Sequence, residues 1–220
     1  MEHESSNPVM DRVRRALGRT APLDSVPNPP AIDEPITRLV HMDVGLPELF
    51  AKRAEEMKME TEFCIIDELV ENLTGYLRSK NLKRIMISAT PMFQKLALAE
   101  VLQRAGFDAK YWSEITLDES YDFDCAITDT TYAVAEIGGL VIKTTAAHGR
   151  ALTLVPMYHV VVVEPKNFLP DMVDLFEKLG REGVGPYVVM ITGPSKTADI
   201  EMNVVTGVHG PNVVKAFILK

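Results

Sequence analysis

From residue 84 onward, short runs rich in Val and Ile alternate with stretches whose apolar residues recur every three to four positions. That alternation constrains the fold more than any other feature of the chain. Apolar strand candidates occupy 84–88, 109–112, 125–128, 140–143, 159–163, 188–192 and 213–219. Helical periodicity fills 92–105, 165–179 and 195–203, and two further amphipathic stretches, 46–59 and 66–78, precede the first strand candidate. Strands that are apolar along their whole length are covered on both faces, which is a property of parallel sheets. Right-handed crossovers between them then give a doubly wound α/β domain. We therefore expect a three-layer, Rossmann-like, largely parallel sheet that binds ligands outside the carboxyl ends of its strands.

The first 35 residues follow a different rule. Residues 8–18 read P-V-M-D-R-V-R-R-A-L-G, with Val9, Val13, Ala16 and Leu17 at helical spacing, Pro at the start and Gly at the end. This predicts a short amphipathic helix, made basic by Arg12, Arg14, Arg15 and by Arg19 just beyond it. Pro22, Pro27, Pro29, Pro30 and Pro35 follow, so neither a helix nor a central strand persists there. The expected organisation is a helical arm and proline-rich tether over 1–35 and an α/β domain over 36–220. Such an arm can dock on the body or on another subunit; the plainer reading is a mobile arm.

Composition removes several function classes. A formal charge of −8 is a poor start for gripping a phosphate backbone, so no nucleic-acid partner is expected. The first ten residues lack the apolar stretch of a secretory signal. No run approaches the roughly 20 apolar residues that cross a bilayer. Only two cysteines occur, Cys64 and Cys125, far apart and in no C-x-x-C. The chain therefore cannot supply four thiolates to an iron–sulfur cluster, and a reduced, cytoplasmic setting is expected.

Three constellations carry candidate chemistry. Glu136 stands in Glu136-Ile137-Gly138-Gly139, where Gly138 and Gly139 let the backbone turn and a ligand approach. A desolvated Glu there can act as nucleophile or base; the plainer reading is a surface Glu before a turn. The second is Thr192-Gly193-Pro194-Ser195-Lys196-Thr197-Ala198-Asp199, between a strand and an expected helix. Thr192, Gly193, Ser195, Lys196, Thr197 and Asp199 there could hold a phosphate or carboxylate, or simply cap the helix. Arg150, after His148-Gly149, could also bind an anion. Among the histidines, whose spacing fits no familiar zinc pattern, His209 between Gly207 and Gly210 is the best catalytic candidate. The alternative for it is a structural hydrogen bond to Asp199. His159 reads as a strand-edge residue.

The segments A-V-A-E-I-G-G-L-V-I from Ala133, R-A-L-T-L-V-P-M-Y-H-V-V-V-V from Arg150, I-T-G-P-S-K-T-A-D-I-E from Ile191 and G-V-H-G-P from Gly207 resemble, in order and spacing, the LUD-domain proteins of the lactate-utilisation LutC/YkgG type. The opening V-M-D-R-V-R-R-A-L-G-R is similar to that family's N-terminal helix. The family often has Asp where this chain has Thr131, Thr where it has Ile137, and Arg where it has Lys196, which keeps the charge but loses the bidentate fork. The resemblance implies a fold of the NagB/RpiA/CoA transferase-like kind. It also implies a component of an L-lactate oxidation system that takes a small anionic metabolite and carries no cofactor itself, the iron–sulfur clusters residing in partner proteins. The alternative is a stand-alone enzyme or binding protein for a CoA ester, sugar phosphate or other anion, with Glu136 used as CoA transferases use a glutamate.

Overall fold

The computed structural model describes residues 8–18, 40, 45–197, 205–206 and 210–220. Its backbone contacts divide into two units, 1–35 and 36–220. In the first, helix α1 spans Pro8–Ala16. Pro8 costs nothing at this end, because a first-turn N–H has no intrahelical acceptor. Gly18, at φ +68°, closes the other end by donating its N–H to the Arg15 carbonyl.

The second unit begins with helix α2 (Leu46–Glu56), strand β1 (Glu60–Cys64) and helix α3 (Leu69–Ser79). Strand β2 (Arg84–Ile87), helices α4 (Pro91–Lys95) and α5 (Leu98–Arg104), strand β3 (Asp108–Tyr111), helix α6 (Leu117–Ser120) and strand β4 (Cys125–Asp129) follow. Next come β5 (Tyr132–Val134), β6 (Gly139–Lys143), α7 (Ala151–Leu154), β7 (Tyr158–Val163), β8 (Phe168–Leu169) and α8 (Met172–Glu182). Strands β9 (Val188–Ile191), β10 (Lys196–Thr197), β11 (Val205–Thr206) and β12 (Val213–Leu219) complete the described elements.

Six strands form one parallel sheet in the order β1-β12-β7-β4-β2-β3. The pleat sends alternate residues to opposite faces, and the apolar runs supply both. Ile85, Ile87, Cys125, Ile127, Val160, Val162 and Phe217 pack with Leu69, Leu73, Leu77, Leu98 and Leu102 of the helices. Val161, Val163, Val214, Ala216 and Ile218 face the other way, toward Phe50, Ala51 and Ala54 of α2 and toward Leu140 and Phe168. Each fully buried branched side chain contributes roughly 1.5–3 kcal/mol, so the two faces together dominate the stability of this unit. The doubly covered, largely parallel α/β architecture read from the alternation is the architecture present.

Five details differ from the sequence reading. The runs 140–143 and 188–192 leave the parallel sheet for a second one, ordered β8-β5-β6-β9, in which β6 is antiparallel to β5 and β9. Only residues 135–138 connect β5 to β6, far too few for a parallel crossover. The helix expected over 92–105 breaks at Ala97, whose φ of +46° is left-handed. The stretch 165–179 opens with a 3-10 turn and β8, and helix α8 begins only after Asp171, which caps it through the Asp174 N–H at 3.0 Å. Lys196–Thr197 pairs with Val205–Thr206 as an antiparallel ribbon where a helix was expected. Just before it, Ser195 donates its N–H to the Pro211 carbonyl at 2.9 Å, which holds the chain against the strand at the point where a helix would start. Finally, His159 is no edge residue: β7 lies between β12 and β4, and His159 is fully buried. Among the described residues no helix is long and apolar enough to cross a membrane.

Candidate functional site

Glu136 sits in the turn that joins β5 to β6. Its N–H donates to the Pro170 carbonyl at 2.9 Å, and its Oε2 accepts the Met172 N–H at 3.3 Å, in the first turn of α8. The carboxylate thus meets the positive end of a helix dipole, where an anion is favoured. Gly138 has φ +60°, and a Cβ on it would fall on the Ala54 nitrogen and the Arg53 carbonyl carbon. The glycine is required by the backbone of α2. A Cβ on Gly139 would stand 2.8 Å from Ile137 Cδ1.

Thr192 and Gly193 arrive beside the same helix at the end of β9. Gly193 has φ +121°, and a Cβ there would stand 2.5 Å from the Met57 carbonyl oxygen. Glu136, Ile137 and Thr192 share a shallow pocket of about 380 Å3 with Arg53, Glu56 and Met57. Two of the sequence-derived candidates therefore meet. Arg150 is not among that pocket's lining residues; its guanidinium lies over the Tyr187 ring, 5.2 Å from the centroid. Lys196 and Thr197 are described only as backbone of β10, and Asp199 and His209 lie outside the described residues. Thr131 accepts the Lys143 N–H at 3.1 Å through its hydroxyl.

A second polar cluster, which the sequence reading did not single out, occupies the carboxyl ends of β2 and β4. The Ser88 hydroxyl donates to Asp129 Oδ1 at 3.4 Å, and His148 Nδ1 lies 3.7 Å from the same oxygen, too far for a hydrogen bond. Thr90 stands close enough for its hydroxyl to favour the Asp129 anion, although it makes no hydrogen bond of ordinary geometry. On the other side of β4, Thr128 Oγ1 and His159 Nε2 are 2.9 Å apart. His148 Nε2 and His159 Nδ1 are buried with no hydrogen-bond partner.

Burial sets the protonation of this cluster. It holds Asp129 above the usual carboxylate range, against the opposing pull of its own backbone N–H and the two hydroxyls. Burial pushes His148 down to about 4, and burial reinforced by His148 pushes His159 down to about 3. Near neutral pH both imidazoles are uncharged, and beside one of them sits a carboxylate with a raised affinity for protons. Such a pair can accept a proton or hand one on. Among the described residues no group of three or more His, Cys, Asp or Glu side chains is arranged to hold a metal ion.

Comparison with known proteins adds a third line of observation. The family model described as "LUD domain" matches residues 47–219. The chain is 25% identical over 213 residues to Lactate utilization protein C of Halalkalibacterium halodurans, covering 92% of each chain. It is 30% identical over 179 residues to the Bacillus pumilus protein of the same name, covering 71% of this chain and 74% of that one. It is 32% identical over 144 residues to the uncharacterized protein YkgG of Escherichia coli, covering 61% of each. A crystal structure of a DUF162 family protein from Deinococcus radiodurans superimposes with a TM-score of 0.59 at 18% identity, over 80% of this chain and 96% of that one. That likeness supports the fold.

Proposed function

The chain belongs to the LUD-domain family, and from that premise we propose that it is a component of an L-lactate utilisation system, working with separate iron–sulfur proteins in the oxidation of lactate to pyruvate. The observation that carries the reading is the match, along 92% of both chains, to a protein named Lactate utilization protein C. What supports separate redox partners is the cysteine content: two cysteines cannot ligate a cluster that requires four, so any such cluster of the system would lie in another protein. Both are buried in strands of the parallel sheet, Cys64 at the end of β1 and Cys125 at the start of β4.

Helix α1 supplies a way to reach such partners. Val13 and Leu17 lie one turn apart on an exposed stripe, and Arg14 and Arg15 stand beside it. A basic amphipathic helix on a proline-rich tether is suited to an acidic, partly apolar groove on another protein.

Affinity purification of the full chain from cells growing on L-lactate tests this, with iron and acid-labile sulfide measured in the recovered complex. The expected result is co-purification of a cysteine-rich iron–sulfur protein, lost in a Val13→Glu/Leu17→Glu variant, together with a growth defect on L-lactate when the gene is deleted. Normal growth on lactate and an iron-free preparation would remove the proposal.

A further inference from the structure

The directions of the crossovers diverge between β2 and β4. The chain leaves β2 toward β3 on one side of the sheet and returns to β4, then leaves β4 toward β7 on the other side. In open parallel sheets the loops on either side of such a point part from one another, and the crevice between them takes ligands. Here a cleft of about 660 Å3 opens across the carboxyl ends of the sheet. Its lining residues come from the ends of β4 and β12 and from the segments that follow β1, β2 and β7. The volume lies within the range of roughly 300–1,000 Å3 that accommodates metabolite- and drug-sized molecules.

The lining has three chemical parts. Ile66, Met92, Leu96 and Leu219 form apolar walls, and Lys95, Lys166 and Lys220 line the cleft with Glu164, the Lys220 ammonium lying over the Phe63 ring 5.5 Å from its centroid. Lys166 is engaged with Glu164 at 2.9 Å. Asp129 supplies a carboxylate whose side chain is 22% exposed. Behind it stands His148, whose side chain is only 7% exposed and whose Nε2 has no hydrogen-bond partner. Buried polar atoms are nearly always paired in folded proteins, and a carboxylate sunk in its own cleft is costly to fold around. Side chains held in this way beside a cleft point to a ligand.

We propose that this cleft binds an organic phosphate of nucleotide size, with Asp129 accepting a hydroxyl of the ligand, the lysines holding its phosphate and the apolar walls covering the carbon body between them. A three-carbon hydroxy acid is too small to touch all three parts. The phosphate falls to the lysines because the turn after β2, Ser88-Ala89-Thr90-Pro91, has no glycine for a close approach and no N–H on Pro91. Glu136 lines a different pocket, so the proposal is independent of that residue, and it does not rest on the lactate assignment.

Isothermal titration of the full chain with ADP tests it, with adenosine, inorganic pyrophosphate and L-lactate titrated separately. ADP is expected to bind more tightly than adenosine or pyrophosphate, each of which meets only part of the cleft. Asp129→Asn should weaken ADP at least tenfold, about 1.4 kcal/mol. Lys95→Ala should weaken it several-fold and flatten its salt dependence. Lys95 is exposed, so Lys95→Ala should melt cooperatively near the wild-type temperature, and Asp129→Asn, close to isosteric and free of the buried charge, should melt cooperatively at or above it, which separates lost binding from lost folding. Absence of ADP binding at millimolar concentration, equal affinity in wild type and both variants, or saturation by L-lactate in preference to ADP would each overturn the proposal. Failure of the partner reading would appear in the purification experiment and leave these titrations unchanged.

Discussion

Replacing Gly138 by alanine separates two explanations of the glycine pair that follows Glu136. From the sequence, the pair makes room for a ligand. In the structure, that room is filled by α2, whose Ala54 nitrogen and Arg53 carbonyl carbon stand where the new methyl would go. The left-handed φ of +60° costs an L-residue about 1–2 kcal/mol. Forcing a methyl against a backbone held in place by buried Phe50, Ala51 and Ala54 adds an overpacking cost of about 1–3 kcal/mol. Together these predict a loss of about 2–5 kcal/mol, or a fall in Tm of about 4–20 °C for a protein of this size. Gly75→Ala is the matched comparison. Gly75 lies exposed inside α3 with nothing within 4 Å of a Cβ, so alanine there should gain about 0.5–1 kcal/mol. Scanning calorimetry on both variants at pH 7 reads the difference directly. A Gly138→Ala protein that melts within about 2 °C of wild type would refute the reasoning, since neither the approach of α2 nor the backbone conformation would then constrain the site.

Further outcomes follow from buried titratable groups. His148 and His159, held down to about 4 and about 3, contribute stability that is present above the unfolded value near 6.5 and lost as pH falls toward the folded values. By pH 5 each should have cost the native state about 2 kcal/mol. His148→Gln should therefore flatten the difference in urea-unfolding stability between pH 7 and pH 5, and a variant as acid-sensitive as wild type would contradict this. Asp129, with its pKa raised by burial, works in the opposite sense: its destabilising effect is fully present above its folded value and relieved as pH falls to 3.8. The Tm advantage of Asp129→Asn over wild type should consequently be largest near neutrality and shrink on acidification. Burial also raises the thiols of Cys64 and Cys125, so neither should react with a disulfide reagent at pH 8 until denaturant is added. Rapid labelling of the folded chain would show that β1 or β4 opens readily.

The parallel sheet was legible because its strands carry hydrophobicity on both faces, and Val160 to Val163 are all buried as such a strand requires. The direction of β6 and β9 was not, since 140–143 and 188–192 are as apolar as the rest and only the four-residue connection after β5 distinguishes one of them. The break at Ala97 was also hidden, because alanine is a strong helix former and nothing local marks it for a left-handed conformation. At the sites, Gly138 and Gly193 were read as room for a ligand, and what stands against them is backbone of residues 53–54 and 57; a glycine does not state what approaches. Asp129 was available in principle: it follows the strand candidate 125–128 directly, which is where a parallel sheet presents its ligands. The Gly-flanked Glu136 carries the more conspicuous local pattern, and the proximity of Asp129 to His148 arises from a loop that no local pattern predicts.

That loop carries one more consequence. Gly149, next to His148, lies flush against the indole of Trp112, which occupies the place a Cβ would need. Trp112 is the chain's single tryptophan, so its fluorescence reports on the neighbourhood of His148 without contribution from any other indole. Emission wavelength and quenching recorded during a titration or a pH jump would follow this corner of the molecule in real time, with no label attached.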